Sequence, residues 1–243
     1  MSLIDRGVLY LSTGDEQYRQ YTTLSIQSLR QAGYRGPVTV VSDQPQLWQG
    51  QGVHCRAIPQ QTGPYASRFW KTQLHRLTPY RHTLFLDSDT LVVDARDLFK
   101  PAGKLALAWD VFTTVQKVLT AARKYRVQKC PGAWGELAAV CPPATSYFNS
   151  GVMLWRTCAA TTALFNSWHL QWLKHRYLDQ PALAVALQKQ CHLTVERLPD
   201  QYNCNPVEQG VLSMQQARSR GLKILHFWGL SHQKLVSFSQ PLR

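Results

Sequence analysis

The stretch GVLYLSTGDEQYRQYTTLSIQSLRQAGYRGPVTVVSD, residues 7–43, decides the fold. GVLYLS (7–12) is a continuous apolar run, as in a strand buried on both faces. DEQYRQYTTLSIQSLRQAG (15–33) is an amphipathic helix with an acidic first turn and Gly33 at its end, and PVTVVSD (37–43) is a second buried strand. Strand, helix and strand in that order predict an α/β protein on a mainly parallel, mixed sheet with helices on both faces.

Downstream, VHCRAIP (53–59) is a weaker strand, SRFWKTQLHRL (67–77) a short helix, and TLFLDSD (83–89) a strand with its exit loop. KLALAWD (104–110) follows as a strand, and 112–130 is helical in composition with a basic cluster, Lys117, Arg123, Lys124, Arg126 and Lys129. Gly and Pro punctuate PGAWGELAAVCPPAT (131–145), which reads as a loop. YFNSGVMLW (147–155) is a strand, TTALFNSWHLQWLKHRY (161–177) and DQPALAVALQKQ (179–190) are helices, and HLTVERL (192–198) and LKILHFW (222–228) are the last strands.

At 243 residues the chain fits one large domain, and 27 Lys and Arg against 14 Asp and Glu give a formal charge of +13. That excess favours an anionic partner, and nucleic acid, acidic lipid or a nucleotide-linked substrate would each satisfy it. Six cysteines without a C-x-x-C spacing read as reduced core thiols rather than disulfides or a zinc site. The first strand starts too early for a signal peptide to precede it, and no apolar run reaches the ~18 residues of a membrane span, so the expected setting is the cytoplasm.

Two aspartates, Asp87 and Asp89, end the most apolar strand. At the carboxyl edge of an α/β sheet, carboxylates at i and i+2 can converge on a divalent cation that shares substrate phosphates, although the same residues also cap turns. Two enzyme classes use the pattern. DSDT (87–90) matches the nucleophile string of haloacid dehalogenase-type phosphatases, which need a further acidic pair, yet the later acids, Asp110, Glu136, Asp179, Glu196, Asp200 and Glu208, stand singly. Nucleotide-sugar glycosyltransferases use D-x-D to anchor a cation on the donor diphosphate.

From LSTGDEQY through FWK, DSD, FNSG and LDQ to HFWG (226–229), the chain resembles glycosyltransferase family 8, which includes glycogenin and lipopolysaccharide galactosyltransferases. The resemblance implies a GT-A-type (Rossmann-like) domain over 1–243, with its nucleotide-binding part at about 1–93 and its acceptor-side part at about 94–243. It implies hexose transfer from a UDP-sugar to an acceptor hydroxyl, with retention. Asp87, Asp89 and His226 would hold the metal; imidazole beside carboxylates favours Mn2+, with Mg2+ as the alternative. Thr13 and Tyr18 would meet the base, Tyr18 by stacking, Ser88 the ribose, and Gly229 and Lys234 the diphosphate. Lys71, Asn149 and Ser150 would face the donor sugar, and Asp179 and Gln180 would carry the catalytic role there. Four have a plainer reading: Tyr18 and Lys71 as helix-surface residues, His226 as a structural histidine, Asp179 as a helix cap.

The chain departs from the family where a lysine and Pro-Trp should follow the histidine; His232 takes the lysine's place and Lys234 comes two residues later. Its least family-like segment, 112–145, is basic, so an anionic saccharide, glycolipid or protein acceptor is expected, together with peripheral contact at the inner face of a membrane. The charge alone also fits a nucleic-acid-binding protein, but no helix-turn-helix, RNA-binding aromatic pattern or zinc framework is present, and no specific nucleic-acid partner is expected. A sugar-phosphate nucleotidyltransferase would carry a Gly-rich, basic signature where this chain has STGDEQ.

Overall fold

The computed structural model describes residues 3–63, 65–101, 103–125, 129–229 and 232–239. The first half runs β1 (Ile4–Ser12), α1 (Glu16–Gln31), β2 (Val38–Ser42), β3 (His54–Ala57), α2 (Ala66–Lys71), α3 (Leu74–Leu77), β4 (Tyr80–Leu86) and β5 (Thr90–Val92). It continues with β6 (Leu105–Thr114), α4 (Val115–Tyr125), α5 (Pro131–Val140), β7 (Ser146–Arg156), α6 (Ala159–His175) and α7 (Asp179–Lys189). β8 (Val195–Arg197), α8 (Met214–Ser219), β9 (Ile224–His226) and α9 (His232–Ser239) follow.

Seven strands form one sheet in the order β3-β2-β1-β4-β7-β6-β8. β1 pairs in parallel with β2 and β4, as do β2 with β3 and β6 with β8. β7 is the reversed strand, antiparallel to both β4 and β6. Alternate residues of the central strands feed two cores. Val8, Tyr10, Leu84 and Leu86 pack with Ile26 and Leu29 of α1, whereas Leu9, Leu11 and Phe85 pack with Leu164, Phe165 and Trp168 of α6. Burial on both faces is why these strands are apolar throughout. Among the described residues no helix is long and apolar enough to cross a membrane.

Several local expectations change. Residues 131–140 form α5 rather than loop: Pro131 occupies its first turn, where a missing N–H costs nothing, and Ala133, Trp134 and Leu137 are buried. The helix expected over 67–77 is broken between Lys71 and Leu74 into α2 and α3. Only Cys141 and Cys204 are buried, while Cys55 and Cys191 are exposed, so the thiols are not chiefly core residues. In the basic cluster Lys117, Arg123 and Lys129 are exposed; Arg126 and the side chains of Lys124 and His232 lie outside the described residues.

The element that positions the site is small. β5 pairs antiparallel with β9, placing Thr90 opposite His226. The D-S-D loop and the H-F-W-G segment, far apart in sequence, are thereby laid side by side.

Candidate active site

The loop leaving β4 is braced from both sides. Asp87 donates its backbone N–H to the Gly151 carbonyl of β7 at 2.8 Å, and Phe227 N–H donates to the Asp89 carbonyl at 2.8 Å. Asp87, Asp89 and His226 each present a ligand atom, all within 4.8 Å of one another. His226 Nε2 lies 3.2 Å from Asp89 Oδ1 and 3.9 Å from Asp87 Oδ2. Gly151 makes the room: a Cβ there would stand 2.1 Å from His226 Cε1 and 2.8 Å from Asp87 Oδ2.

Asn203 sets the imidazole. Its amide nitrogen points at the Trp109 carbonyl, 3.5 Å away, leaving Oδ1 to accept from His226 Nδ1 at 2.8 Å. With its proton on Nδ1, the ring keeps a lone pair on Nε2, which is buried and makes no well-formed hydrogen bond. A buried acceptor without a donor, flanked by two carboxylates, fits a divalent cation.

A second charge cluster adjoins the first. Lys71 Nζ, buried, reaches Asp87 Oδ2 at 2.7 Å and Asp179 Oδ2 at 3.4 Å. Arg68 Nε lies 3.4 Å from Asp179 Oδ1, with its guanidinium over the Tyr65 ring. Asp179 also accepts from Ser150 Oγ at 2.6 Å, and its backbone carbonyl accepts from Trp168 Nε1 at 2.8 Å. Burial pushes the Asp179 carboxyl up, but Lys71 and Arg68 together outweigh it and bring it down to about 2. Asp87 goes the other way: burial raises it, and Lys71, shared between two acids, does not offset that rise, to which Asp89 adds. Burial lowers Lys71, yet Asp179 and Asp87 more than reverse the effect and hold it charged. Of the two acids that Lys71 bridges, Asp179, with two cations beside it, is the one held ionised.

Asp87, Asp89, Lys71, Arg68 and Asp179 line a cleft of about 440 Å³ that also takes in Thr13, Tyr18, Asp43 and Ser88. Tyr18 is exposed at the outer end. The Ser88 hydroxyl donates to the Leu11 carbonyl at 3.1 Å and accepts from Thr22, so its side chain is committed to the fold. Asn149 Oδ1 likewise accepts from Gly151 N–H, at 2.8 Å. Gln180 is outside the cleft, donating to Asp110 Oδ2 at 2.8 Å and to the Phe148 carbonyl at 3.2 Å. Gly229, at φ +66°, and Lys234, exposed on α9, are not among the cleft residues either. The sequence reading did not single out Arg68, Gly151 or Asn203. The glycine of FNSG, within a strand, was the one available signal.

The galactosyltransferase LgtC, solved with donor and acceptor sugar analogues, superposes with a TM-score of 0.63 at 14% identity, over 96% of this chain and 95% of that one. The fold is the GT-A fold. An active-site mutant of LgtC gives 0.59 at 12% identity over the same shares of the two chains. The bifunctional glycosyltransferase WbbM gives 0.60 at 15% identity, over 98% of this chain and 50% of that one. The amino-acid sequence itself matches no family model and no curated protein. On this GT-A scaffold the third group gathered at DSDT is an imidazole, not the further acidic pair that the phosphatase alternative requires.

Proposed function

We propose that the protein is a metal-dependent glycosyltransferase that moves a hexose from a UDP-sugar to an acceptor hydroxyl with retention of configuration. The observation that carries this reading is the convergence of Asp87, Asp89 and the unpartnered Nε2 of His226, with the two aspartates lining a cleft whose outer end presents Tyr18. Those three side chains would hold Mn2+, or Mg2+, and the ion would offset the charge of the departing diphosphate.

The chain's own residues divide the remaining work. Tyr18 offers a ring face to the uracil and Thr13 lies beside it, while Ser88 meets the ribose through its backbone. Lys71 keeps its proton and places an ammonium between the D-S-D loop and Asp179, where phosphate and sugar oxygens meet. Asp179 stays ionised and faces the positive character that develops at the glycosyl carbon, with Ser150 and Arg68 fixing its two oxygens. Gln180 and Asn149 are assigned to the sugar side, and Gly229 with Lys234 to the diphosphate, on the resemblance alone. The donor side is residues 1–93 and the acceptor side 94–243, with a saccharide, glycolipid or protein acceptor in a cytoplasmic setting.

The test is UDP-glucose and UDP-galactose binding and hydrolysis with and without manganese, on the native chain and on the Asp87→Ala, Asp89→Ala double variant. Hydrolysis that requires manganese and falls at least about 100-fold in the double variant is expected. Equal rates in the two proteins would rule the reading out.

A further inference from the structure

Among the described residues three other than glycine hold a positive φ, and two of them, Tyr65 at +63° and Arg176 at +46°, adjoin one aromatic contact, that of Tyr65 with Tyr177. A bulky side chain in the left-handed region is strained, and such strain persists only where the surroundings over-determine it. Tyr65 stands just before α2, on the wall of the cleft, where a glycine would relieve the backbone. What its ring touches accounts for a tyrosine there.

One partner is Tyr177, whose ring lies 5.1 Å away and at 80° to it. Tyr177 is itself fixed: it is buried, its ring is 6.5 Å from Trp134 of α5, and its carbonyl accepts from Trp172 Nε1 at 2.8 Å. The other partner is Arg68, whose guanidinium carbon stands 4.7 Å from the centre of the Tyr65 ring. Arg68 Nε is buried and makes no well-formed hydrogen bond, and the Asp179 Oδ1 that it faces is 3.4 Å away. A guanidinium without a good fork onto its carboxylate is not locked by that carboxylate. The aromatic face beneath it supplies the missing constraint.

A closed circuit results. Tyr177 bears on Tyr65, Tyr65 carries Arg68, Arg68 faces Asp179, and Asp179 lies in the same turn of chain as Tyr177. Asp179 Oδ2 has Ser150 and Lys71 beside it, at 2.6 and 3.4 Å, whereas Oδ1 faces Arg68. The direction of the carboxylate therefore depends on where the guanidinium is held.

We infer that Tyr65 is a positioning residue: its ring, braced by Tyr177, holds Arg68 against Asp179 and so aims that carboxylate at the reacting sugar. The inference rests on the proposed transferase reading and adds to it a residue that acts through another. A tyrosine that only walled the cleft would contribute to donor binding, and its loss would raise KM. One that aims Asp179 acts on the transition state, and its loss lowers kcat.

Manganese-dependent hydrolysis of UDP-glucose and UDP-galactose is measured on the full chain for wild type, Tyr65→Phe, Tyr65→Leu, Tyr65→Gly, Arg68→Gln and the Tyr65→Leu, Arg68→Gln double variant. Tyr65→Leu should lower kcat at least about tenfold while KM stays within about twofold. Tyr65→Phe, which keeps the aromatic face, should bring kcat back to within about threefold of wild type. Tyr65→Gly removes the strain together with the ring, so it should fold and still lose as much kcat as the leucine variant. The double variant should be within about twofold of Arg68→Gln alone, because Tyr65 works through that arginine. A raised KM with unchanged kcat, a phenylalanine variant as slow as the leucine one, a glycine variant as fast as wild type, or losses that multiply in the double variant would each overturn the inference. A wild type that hydrolyses neither donor with manganese removes the transferase reading and this inference together, whereas wild-type hydrolysis with an unchanged kcat in Tyr65→Leu removes this inference alone.

Discussion

Gly151 and His226 are in conflict over space: a single carbon added to the glycine would stand 2.1 Å from the ring. The ring cannot step aside freely, being buried, bonded to Asn203 and packed against Trp228. Gly151→Ala should therefore cost about 1–3 kcal/mol in unfolding free energy through overpacking. Manganese affinity by titration calorimetry should fall at least about tenfold, because the displaced ring and Asp87 are both proposed ligands. Wild-type affinity in this variant would mean that His226 is not held where a ligand must be.

Asn203 would act on the proposed metal site through His226, without offering a ligand atom of its own. Asn203→Ala removes the acceptor that fixes the proton on Nδ1, and metal affinity should drop about 10- to 100-fold. Asn203→Asp keeps an acceptor of the same reach and should recover most of that loss. If alanine and aspartate weaken the ion equally, Asn203 is a packing residue.

How much of this was legible follows from the distance over which each feature is encoded. β1, α1 and β2 each declare themselves within a dozen or so residues through apolar spacing, and β4 and β7 through burial on both faces. The D-S-D pair is local as well. α5 was hidden because Pro131, Gly132 and Gly135 resemble loop punctuation, although the proline sits where a helix begins and a buried face runs through Trp134 and Leu137. β5 is only three residues long, and its partner β9 is remote in sequence, so no local pattern announces it. Asn203 and Arg68 owe their places to contacts with residues 23 positions away, for the hydrogen bond to His226, and much further, for Asp179. Their local sequence says only that they are polar.

Among the described residues Lys71 supplies the one ammonium that touches both Asp87 and Asp179. Lys71→Met keeps the length of the side chain but leaves the acids facing each other with one cation fewer, and the buried imbalance should cost about 3–5 kcal/mol. Adding Asp87→Asn to that variant removes the surplus charge, so stability in urea should recover in large part, while manganese binding is lost with the Asp87 carboxylate. A double variant no more stable than Lys71→Met would show that packing of the lysine stem, not charge, was the stabilising term.

Asp179 predicts a pH dependence with a definite sign. Its carboxyl ionises near pH 2 in the folded chain against an ordinary value of 3.8, so the unfolded chain takes up its proton first as the solution is acidified. The stabilisation is complete above about pH 4, is lost as pH falls toward about 2, and amounts to about 2 kcal/mol. Asp87 works in the opposite sense, because its raised value lets the native state bind a proton before the unfolded chain does. The wild-type profile therefore mixes two slopes, and the difference between wild type and Asp179→Asn isolates one of them. Denaturant unfolding of both proteins between about pH 5 and pH 2.5 should show the wild type losing stability more steeply than the variant, by most of that ~2 kcal/mol. Parallel profiles would mean that Lys71 and Arg68 do not hold the Asp179 carboxylate ionised, and the electrostatic role assigned to it at the glycosyl carbon would have no support.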